Sequence, residues 1–436
     1  MEKIPNDSLA ENHLFNLHSA ESSAEVDQIN KRFYGRFNFP WHPSMLAKYH
    51  DQTVWINALN QEIGHFGQHR IKQKPTIWVA GCGTNQAVIT ALKYPQSEVL
   101  GTDLSTQSLA AAKSLAQQLN VTNLTLEENS LNEVAYKEQF DLIICTGVIH
   151  HNFDPSVPLA SLTRALKKNG ILELFVYNYY HRITTTAFQK AIRMMCSTSG
   201  KPNIDVELPI SAAMITDEQA NYSDLMKAFI APIADDHESA MADAILQPVE
   251  YSYTVETFNQ LIQSQNLEIV APCLNQWDKA EDRLSWEMKF SDQTVADQYQ
   301  SLPDLKKWQV GNLLKLEQSP HVWFYVQRKD SDFAVTPSSQ ICEAFLNSRF
   351  KKSRTSYQLY VMQQDSRYQL QDGNKKQPDP MFPKDKVAAK VFERCNGDKT
   401  IAKIIEELRL TLDYHQINEL RLRLTTPAYP YICAVE

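Results

Sequence analysis

The stretch from Thr76 to Asp103 constrains this chain more than any other. An unbroken apolar run, Ile77-Trp78-Val79-Ala80, meets Gly81-Cys82-Gly83, and then a helical pattern places Ala87, Val88 and Leu92 on one face. A strand without polar interruption is one buried on both faces. Strand, glycine turn and helix make the first half of a nucleotide-binding βαβ unit. The glycines are informative because the chain holds only 12 in 436 residues, against an average usage of about 7%. Those at 81, 83, 101, 147 and 170 all fall in one stretch of alternating strands and helices. Such a chain keeps glycine for sharp turns and close approach to a ligand.

Asp103 ends the next strand, 22 residues after Gly81. An acid at that tip of an open parallel sheet accepts both hydrogen bonds from a ribose diol. Nicotinamide dinucleotides and S-adenosylmethionine both offer one. Dinucleotide binders require a third glycine where this chain has Gln86, so the motif is G-x-G-x-x-Q. A long side chain there crowds a pyrophosphate. S-adenosylmethionine has none to seat.

The pattern continues as strand and helix in turn. Ser105 is placed to cap a helix carrying Leu109, Ala112, Leu115, Ala116 and Leu119. Strands are expected at 124–129, 140–145, 171–176, 267–271 and 322–326. A helix over 155–168 is expected to end at Gly170, and another to open at Thr254. The fold class is α/β: a Rossmann-like, seven-stranded, mostly parallel sheet with a helical insertion, plus a small C-terminal α+β winged-helix-like module. The expected domains are an N-terminal arm or lid at 1–60, a central domain at 61–330 with a helical cap at 179–250, and the terminal module at 331–436. The cap helices are expected at 184–195, 217–230 and 235–246. In the module, strands 357–362 and 368–370 join helices at 386–395, 400–408 and 417–424, with a turn at 396–398. The basic run Arg349 to Arg354 reads as a solvated linker.

Near the N-terminus, Phe33, Tyr34, Phe37, Phe39 and Trp41 cluster beside two prolines. Packing over the central domain is the first reading and a lid the second. His65 and His69 have metal-ligand spacing, but glycines weaken that helix and no carboxylate completes the set, so no metal is expected. The net charge of −8 opposes a broad nucleic-acid or anionic-membrane surface. With no long apolar run, no secretory leader and an odd cysteine count without C-x-x-C, a soluble cytoplasmic protein is expected.

The segments A-G-C-G-T at 80–84, G-T-D-L-S at 101–105, F-D-L-I-I-C-T-G-V-I-H-H at 140–151 and L-K-K-N-G-I-L-E-L-F-V-Y at 166–177 together resemble class I S-adenosylmethionine-dependent methyltransferases. The resemblance spans roughly residues 75–330. It implies that Ala80, Gly81, Cys82 and Gly83 cradle the methionine part of the cofactor. Asp103 and Leu104 would take the ribose side, Ser130 and Leu131 the adenine, and Thr146 and Gly147 the far side. Many family members carry an acid where Ser130 stands. The segment V-F-E-R-C-N-G-D-K-T-I-A-K-I-I-E-E-L is similar to PqqD-like winged helices that bind precursor peptides.

Methyl transfer from a sulfonium needs alignment in a dry pocket, and a base only when the acceptor arrives protonated. His150 and His151 follow the fourth strand and are the candidate bases, with helix capping as the alternative. Tyr177, Tyr179 and Tyr180 follow the fifth and could face the methylsulfonium. Arg182 could meet an anionic substrate or pair with an acid of the cap. Asp235, Asp236 and His237 read as a helix start. The expected partner is a peptide, protein or small-molecule methyl acceptor, modified at oxygen or nitrogen; nucleic acid and membrane are not expected. Base methylation is opposed by Cys145-Thr146-Gly147-Val148, which stands where base-methylating enzymes carry an Asn/Asp-Pro-Pro-aromatic motif. A non-catalytic adenosylmethionine-binding scaffold and a nicotinamide oxidoreductase are the rivals.

Overall fold

The computed structural model describes residues 22–67, 69–196, 203–234, 238–371, 383–428 and 430–435. A seven-stranded sheet forms its centre: β1 Thr76–Ala80, β2 Glu98–Asp103, β3 Leu124–Glu128, β4 Phe140–Thr146, β5 Leu166–Val176, β6 Leu267–Pro272 and β7 Val322–Arg328, in the order 3-2-1-4-5-7-6. Only β7 runs antiparallel to its neighbours. Ile77 and Val79 bury on one face, Trp78 and Ala80 on the other. Trp78 donates its indole N–H to Thr102 Oγ1 at 2.9 Å, so the buried strand leaves that polar group satisfied. The helix Thr106–Gln118 starts as expected, with Ser105 accepting from the Ser108 amide. Thr254 caps Val255–Ser264 through a reciprocal bond with Thr257.

The fifth crossover departs from expectation. The helix ends at Ala165 and β5 begins at once with Leu166, so Gly170 lies inside a strand. A Cβ there would approach the Phe140 carbonyl oxygen at 3.0 Å, beside the register shift where β4 meets β5. Glycine marks that irregular pairing rather than a helix end.

After β5 the chain forms the cap: helices Tyr179–Cys196, Ile204–Thr216, Asp224–Ile230 and Glu238–Ile245. Its core takes Phe33 of the N-terminal helix Ser23–Arg36, and Phe37 at that helix's C-cap, against Phe188, Ile192, Leu208 and Ile245. The expected helix start at Asp235, Asp236 and His237 lies outside the described residues. The helix Ile204–Thr216, with Pro209 inside it, was not anticipated, and the helix expected over 217–230 forms only at Asp224–Ile230.

The terminal region divides differently from the sequence expectation. Strands Tyr357–Met362 and Tyr368–Leu370 exist and pair with each other, but Tyr357–Met362 also pairs with Met45–Tyr49 from the N-terminal region, so the three form one sheet. Their Tyr360 and Tyr368 pack with Leu46, Leu115 and Leu119 beside the central domain, so they are not the wing of a terminal module. That module instead uses a sheet of Arg349–Lys352 flanked by Asn396–Thr400 and Ile432–Ala434. The basic run is therefore partly a central strand, with Phe350 fully buried, rather than a linker, and 396–398 is strand rather than turn. Phe345, Phe350, Phe392, Ile404 and Leu424 share its core. Helix Thr53–Glu62, which spans the expected boundary at residue 60, packs Ile56 and Leu59 under the central sheet. Its Gln61 accepts from the Ala434 amide at 2.6 Å.

Candidate active site

A crevice of about 500 Å³ opens at the C-terminal ends of β1, β2, β4 and β5. Ligands of open α/β sheets bind at such an edge. The glycine loop forms one wall. Gly81 and Gly83 take φ of +70° and +54°, a region costly for residues with a Cβ. A Cβ on Gly83 would sit 2.4 Å from the Phe39 carbonyl oxygen, and one on Gly81 2.4 Å from Val148. The loop needs glycine for conformation and for space.

Asp103 faces this loop. Its Oδ2 accepts from the Gly83 amide and its Oδ1 from the Ser105 amide, both at 2.8 Å. Burial pushes the carboxyl upward, against the opposing pull of the Ser105, Gly83 and Leu104 amides. Gln86 donates to Thr146 Oγ1 at 2.5 Å, bridging the helix start to the end of β4. Its side chain thus occupies the place where a dinucleotide motif keeps a glycine.

The sequence candidates separate into two sets. Gly81, Gly83, Asp103, Leu104, Leu131, Thr146, Gly147, His151 and Tyr177 line the crevice. Ala80, Cys82, Ser130 and His150 are buried and are not among its lining residues. His150 stacks behind the wall, its ring 4.1 Å from Tyr177 and 4.2 Å from His151. Neither of its ring nitrogens has a hydrogen-bond partner among the described residues. His151 Nδ1 lies 2.7 Å from the Val249 carbonyl, so Nδ1 carries the proton and Nε2 the lone pair. Burial lowers both: His150 well below its ordinary value, and His151 to about 4, despite the upward pull of Glu250 and the Val249 carbonyl. His69 bonds Asn57 and His65 packs edge-on to Phe333. Among the described residues no cluster of three His, Cys, Asp or Glu side chains could hold a metal.

Several lining residues were not legible as such. Phe39, Pro40, Trp41 and Pro43 form a wall, held to the glycine loop by Thr84 N–H to Phe39 O at 3.1 Å and Asn85 Nδ2 to Trp41 O at 2.8 Å. The aromatic cluster divides: Phe33 and Phe37 pack into the cap core, while Phe39 and Trp41 wall the crevice. The helix Ser23–Arg36 crosses the Leu104–Leu131 end. Its Asp27 accepts from Ser130 Oγ at 2.5 Å and from Asn132 Nδ2 at 3.0 Å. An acid from another element therefore stands beside Ser130. Asn30 lines the crevice, donates to the His151 carbonyl at 2.7 Å, and leaves Oδ1 buried without a partner among the described residues. The only sequence signal for this helix was the S-x-x-E start at Ser22 and Glu25.

The cap closes the remaining side. Arg182 pairs in bidentate fashion with Glu250, at 2.6 Å on both arms, and stacks 4.5 Å from the Tyr177 ring centre. This resolves the sequence alternatives in favour of a cap partner. Asp243, from helix Glu238–Ile245, lines the crevice beside Tyr34 and Tyr177.

Comparison with known proteins agrees with this architecture. Residues 77–229 match a family described as "Methyltransferase domain". Residues 77–229 thus resemble a methyltransferase domain, and the sheet order and topology are those of the class I methyltransferase fold. PKMT2 from Rickettsia typhi, solved in complex with AdoHcy, superposes with a TM-score of 0.56 at 13% identity, over 87% of this chain and 76% of that one. An uncharacterized protein of Synechococcus is 28% identical over 275 residues, 58% of this chain and 60% of that protein. A tRNA U34 carboxymethyltransferase of Campylobacter lari is 28% identical over 138 residues, 31% of this chain and 47% of that protein. The chain thus spans less than two thirds of the length of these curated relatives. S-adenosylmethionine is the cofactor that a domain of this class implies. The residues present fit it: a glycine cradle with no room for a Cβ, a carboxylate across from it, and an unpartnered buried carbonyl on Asn30.

Proposed function

We propose that the chain is an S-adenosylmethionine-dependent methyltransferase acting on a nitrogen or oxygen of a peptide, protein or small metabolite. The observation that carries this reading is the tie between Gly83 and Asp103 across a single crevice of about 500 Å³. Bound there, S-adenosylmethionine would supply a methyl group on a positively charged sulfur that departs as a neutral thioether. Asp103 would hold the ribose hydroxyls, and the Gly81–Gly83 backbone would close on the amino-acid part. Leu104 and Leu131 would flank the adenine, with Asn30 Oδ1 free to accept from its amine. Thr146 and Gly147 would face the sulfur, and Tyr177, Phe175 and Trp323 would exclude water from the transfer. His150 would support Tyr177 from behind, while His151 presents Nε2 as an acceptor.

Among the described residues the lining includes two carboxylates, Asp103 and Asp243, and no lysine or arginine. That wall favours a neutral or cationic acceptor over an anionic one. A peptide is the preferred acceptor, because the terminal module has an exposed edge strand, Asn396–Thr400, to which an extended segment could add.

Calorimetry with S-adenosylmethionine, its demethylated product and NAD tests the cofactor. Product binding tighter than NAD binding is expected; equal binding would end the proposal. A lysate incubated with enzyme and isotopically labelled donor identifies the acceptor by mass spectrometry. Label in protein or peptide is expected. Label in transfer RNA would replace the peptide reading, and cofactor binding without label would favour a non-catalytic scaffold.

A further inference from the structure

The cap gives the crevice an acid that no part of the cofactor cradle uses. In helix Glu238–Ile245, Ala242 and Ile245 are buried in the cap core. The helical repeat turns Asp243 away from that core, and it lines the same crevice as Gly81 and Gly83. Its charged neighbours are accounted for. Arg182, from helix Tyr179–Cys196, is already held by both oxygens of Glu250. Tyr34, from the N-terminal helix, and Tyr177, at the end of β5, lie within electrostatic reach of Asp243, and His151 lines the same crevice. Asp243 itself forms no hydrogen bond or ion pair among the described residues. By contrast, both oxygens of Asp103 are engaged by backbone amides.

We propose that Asp243 receives the proton of the methyl acceptor, and that the acceptor is an amine arriving as an ammonium ion. This rests on the methyltransferase reading above. The ammonium first meets a carboxylate among aromatic rings, a setting that attracts and orients a cation. Its N–H proton passes to a carboxylate oxygen of Asp243, leaving the nitrogen lone pair free. That pair forms the new N–CH₃ bond as the S–CH₃ bond breaks, with the S–C electron pair retained by sulfur. The product leaves as a methylated ammonium, and the proton on Asp243 passes to water when the crevice opens.

The chemistry selects nitrogen. An alcohol is far too weak an acid to yield its proton to a carboxylate. A carboxylate acceptor needs no base and would be repelled by Asp103 and Asp243. An ammonium, with an ordinary pKa of about 10.4, is brought down by desolvation and by a neighbouring positive sulfur. Burial raises Asp243 to about 6, Arg182 pulling it down and Glu250 pushing it up. His151, held at about 4, is the weaker base of the two, and His150 does not line the crevice.

The test uses the full chain, labelled S-adenosylmethionine and three small probes: n-butylammonium, n-butanol and butyrate. Wild type should methylate n-butylammonium alone, with a rate that rises through about pH 6 to a plateau. Asp243→Asn should bind the demethylated cofactor within twofold of wild type and lose at least about 100-fold in transfer, the lower range for a general base. Its remaining rate should rise only toward the pKa of the free amine. Wild-type rates in Asp243→Asn, transfer to butanol or butyrate in preference, or cofactor binding with no transfer to the amine would each overturn the assignment. Failure of wild type to bind the demethylated cofactor would instead overturn the methyltransferase reading on which it rests.

Discussion

Replacing Glu250 by alanine should unseat the cap. Arg182 and Glu250 have side chains only 14% and 4% exposed, and they meet in a two-point pair at 2.6 Å. Arg182 also donates to the Ala244 carbonyl at 3.1 Å and covers Tyr177. Removing Glu250 leaves a buried guanidinium without its two-point partner, with Asp243 as the remaining acid that acts on it. The cost of breaking such a pair is about 3–5 kcal/mol, whereas replacing both partners by apolar groups is often neutral. Glu250→Ala should therefore lower the urea stability of the cap by about 4 kcal/mol, close to a thousandfold in its opening equilibrium. Hydrogen exchange over residues 179–196 and 238–250 would locate the loss. Arg182→Met with Glu250→Met should recover most of it. A single-variant loss below about 1 kcal/mol, or a double variant less stable than Glu250→Ala, would refute the reasoning.

Further predictions concern the crevice. Asp103→Ala removes the acceptor of two amides and the proposed ribose contact, so affinity for the demethylated cofactor should fall about a hundredfold, ~3 kcal/mol, by calorimetry. Asn30→Ala should weaken the same binding by about tenfold, the worth of one hydrogen bond; unchanged affinity would remove the helix Ser23–Arg36 from the adenine end. Gly83→Ala meets both a positive φ and the Phe39 carbonyl, so it should displace the Phe39–Pro43 wall, read as a change in Trp41 fluorescence and faster proteolysis of the arm. His151, held at about 4 in the folded chain, titrates near 6.5 when unfolded. Below pH 6.5 the unfolded chain binds a proton that the native chain does not, so stability drops as pH falls toward 4. His151→Gln should flatten that acid limb in urea titrations between pH 4.5 and 7.5.

The central sheet was legible because its signals are local. Ile77 to Ala80 needed no partner to read as a buried strand, and Ser105 and Thr254 announced their helices by capping chemistry. What failed to show were features set by tertiary neighbours. Met45–Tyr49 carries no mark that its partner is Tyr357–Met362, some three hundred residues on. Gly170 looked like a helix end because the strand's irregular pairing is invisible without β4. Asp27 and Asn30 sit in a polar N-terminal stretch and Asp243 in a helix of mostly small apolar residues, and only the approach of other elements brings Asn30 and Asp243 to the crevice and Asp27 to Ser130. The glycine loop could be read in one pass; the rest of the crevice could not, since the N-terminal helix, the Phe39–Pro43 segment and the cap build it together.

The pairing of Met45–Tyr49 with Tyr357–Met362 also sets a timetable for biogenesis. The Phe39–Pro43 wall is tethered a few residues ahead of a strand whose neighbour emerges late in synthesis. A nascent chain can form β1 to β4 early and hold that wall to the glycine loop, yet the strand behind the wall stays unpaired until more than four fifths of the polypeptide has been made. Contacts so distant along a chain form slowly. Until they do, a newborn molecule carries an unmatched strand edge beside the crevice, the state in which it is most exposed to aggregation and to proteases.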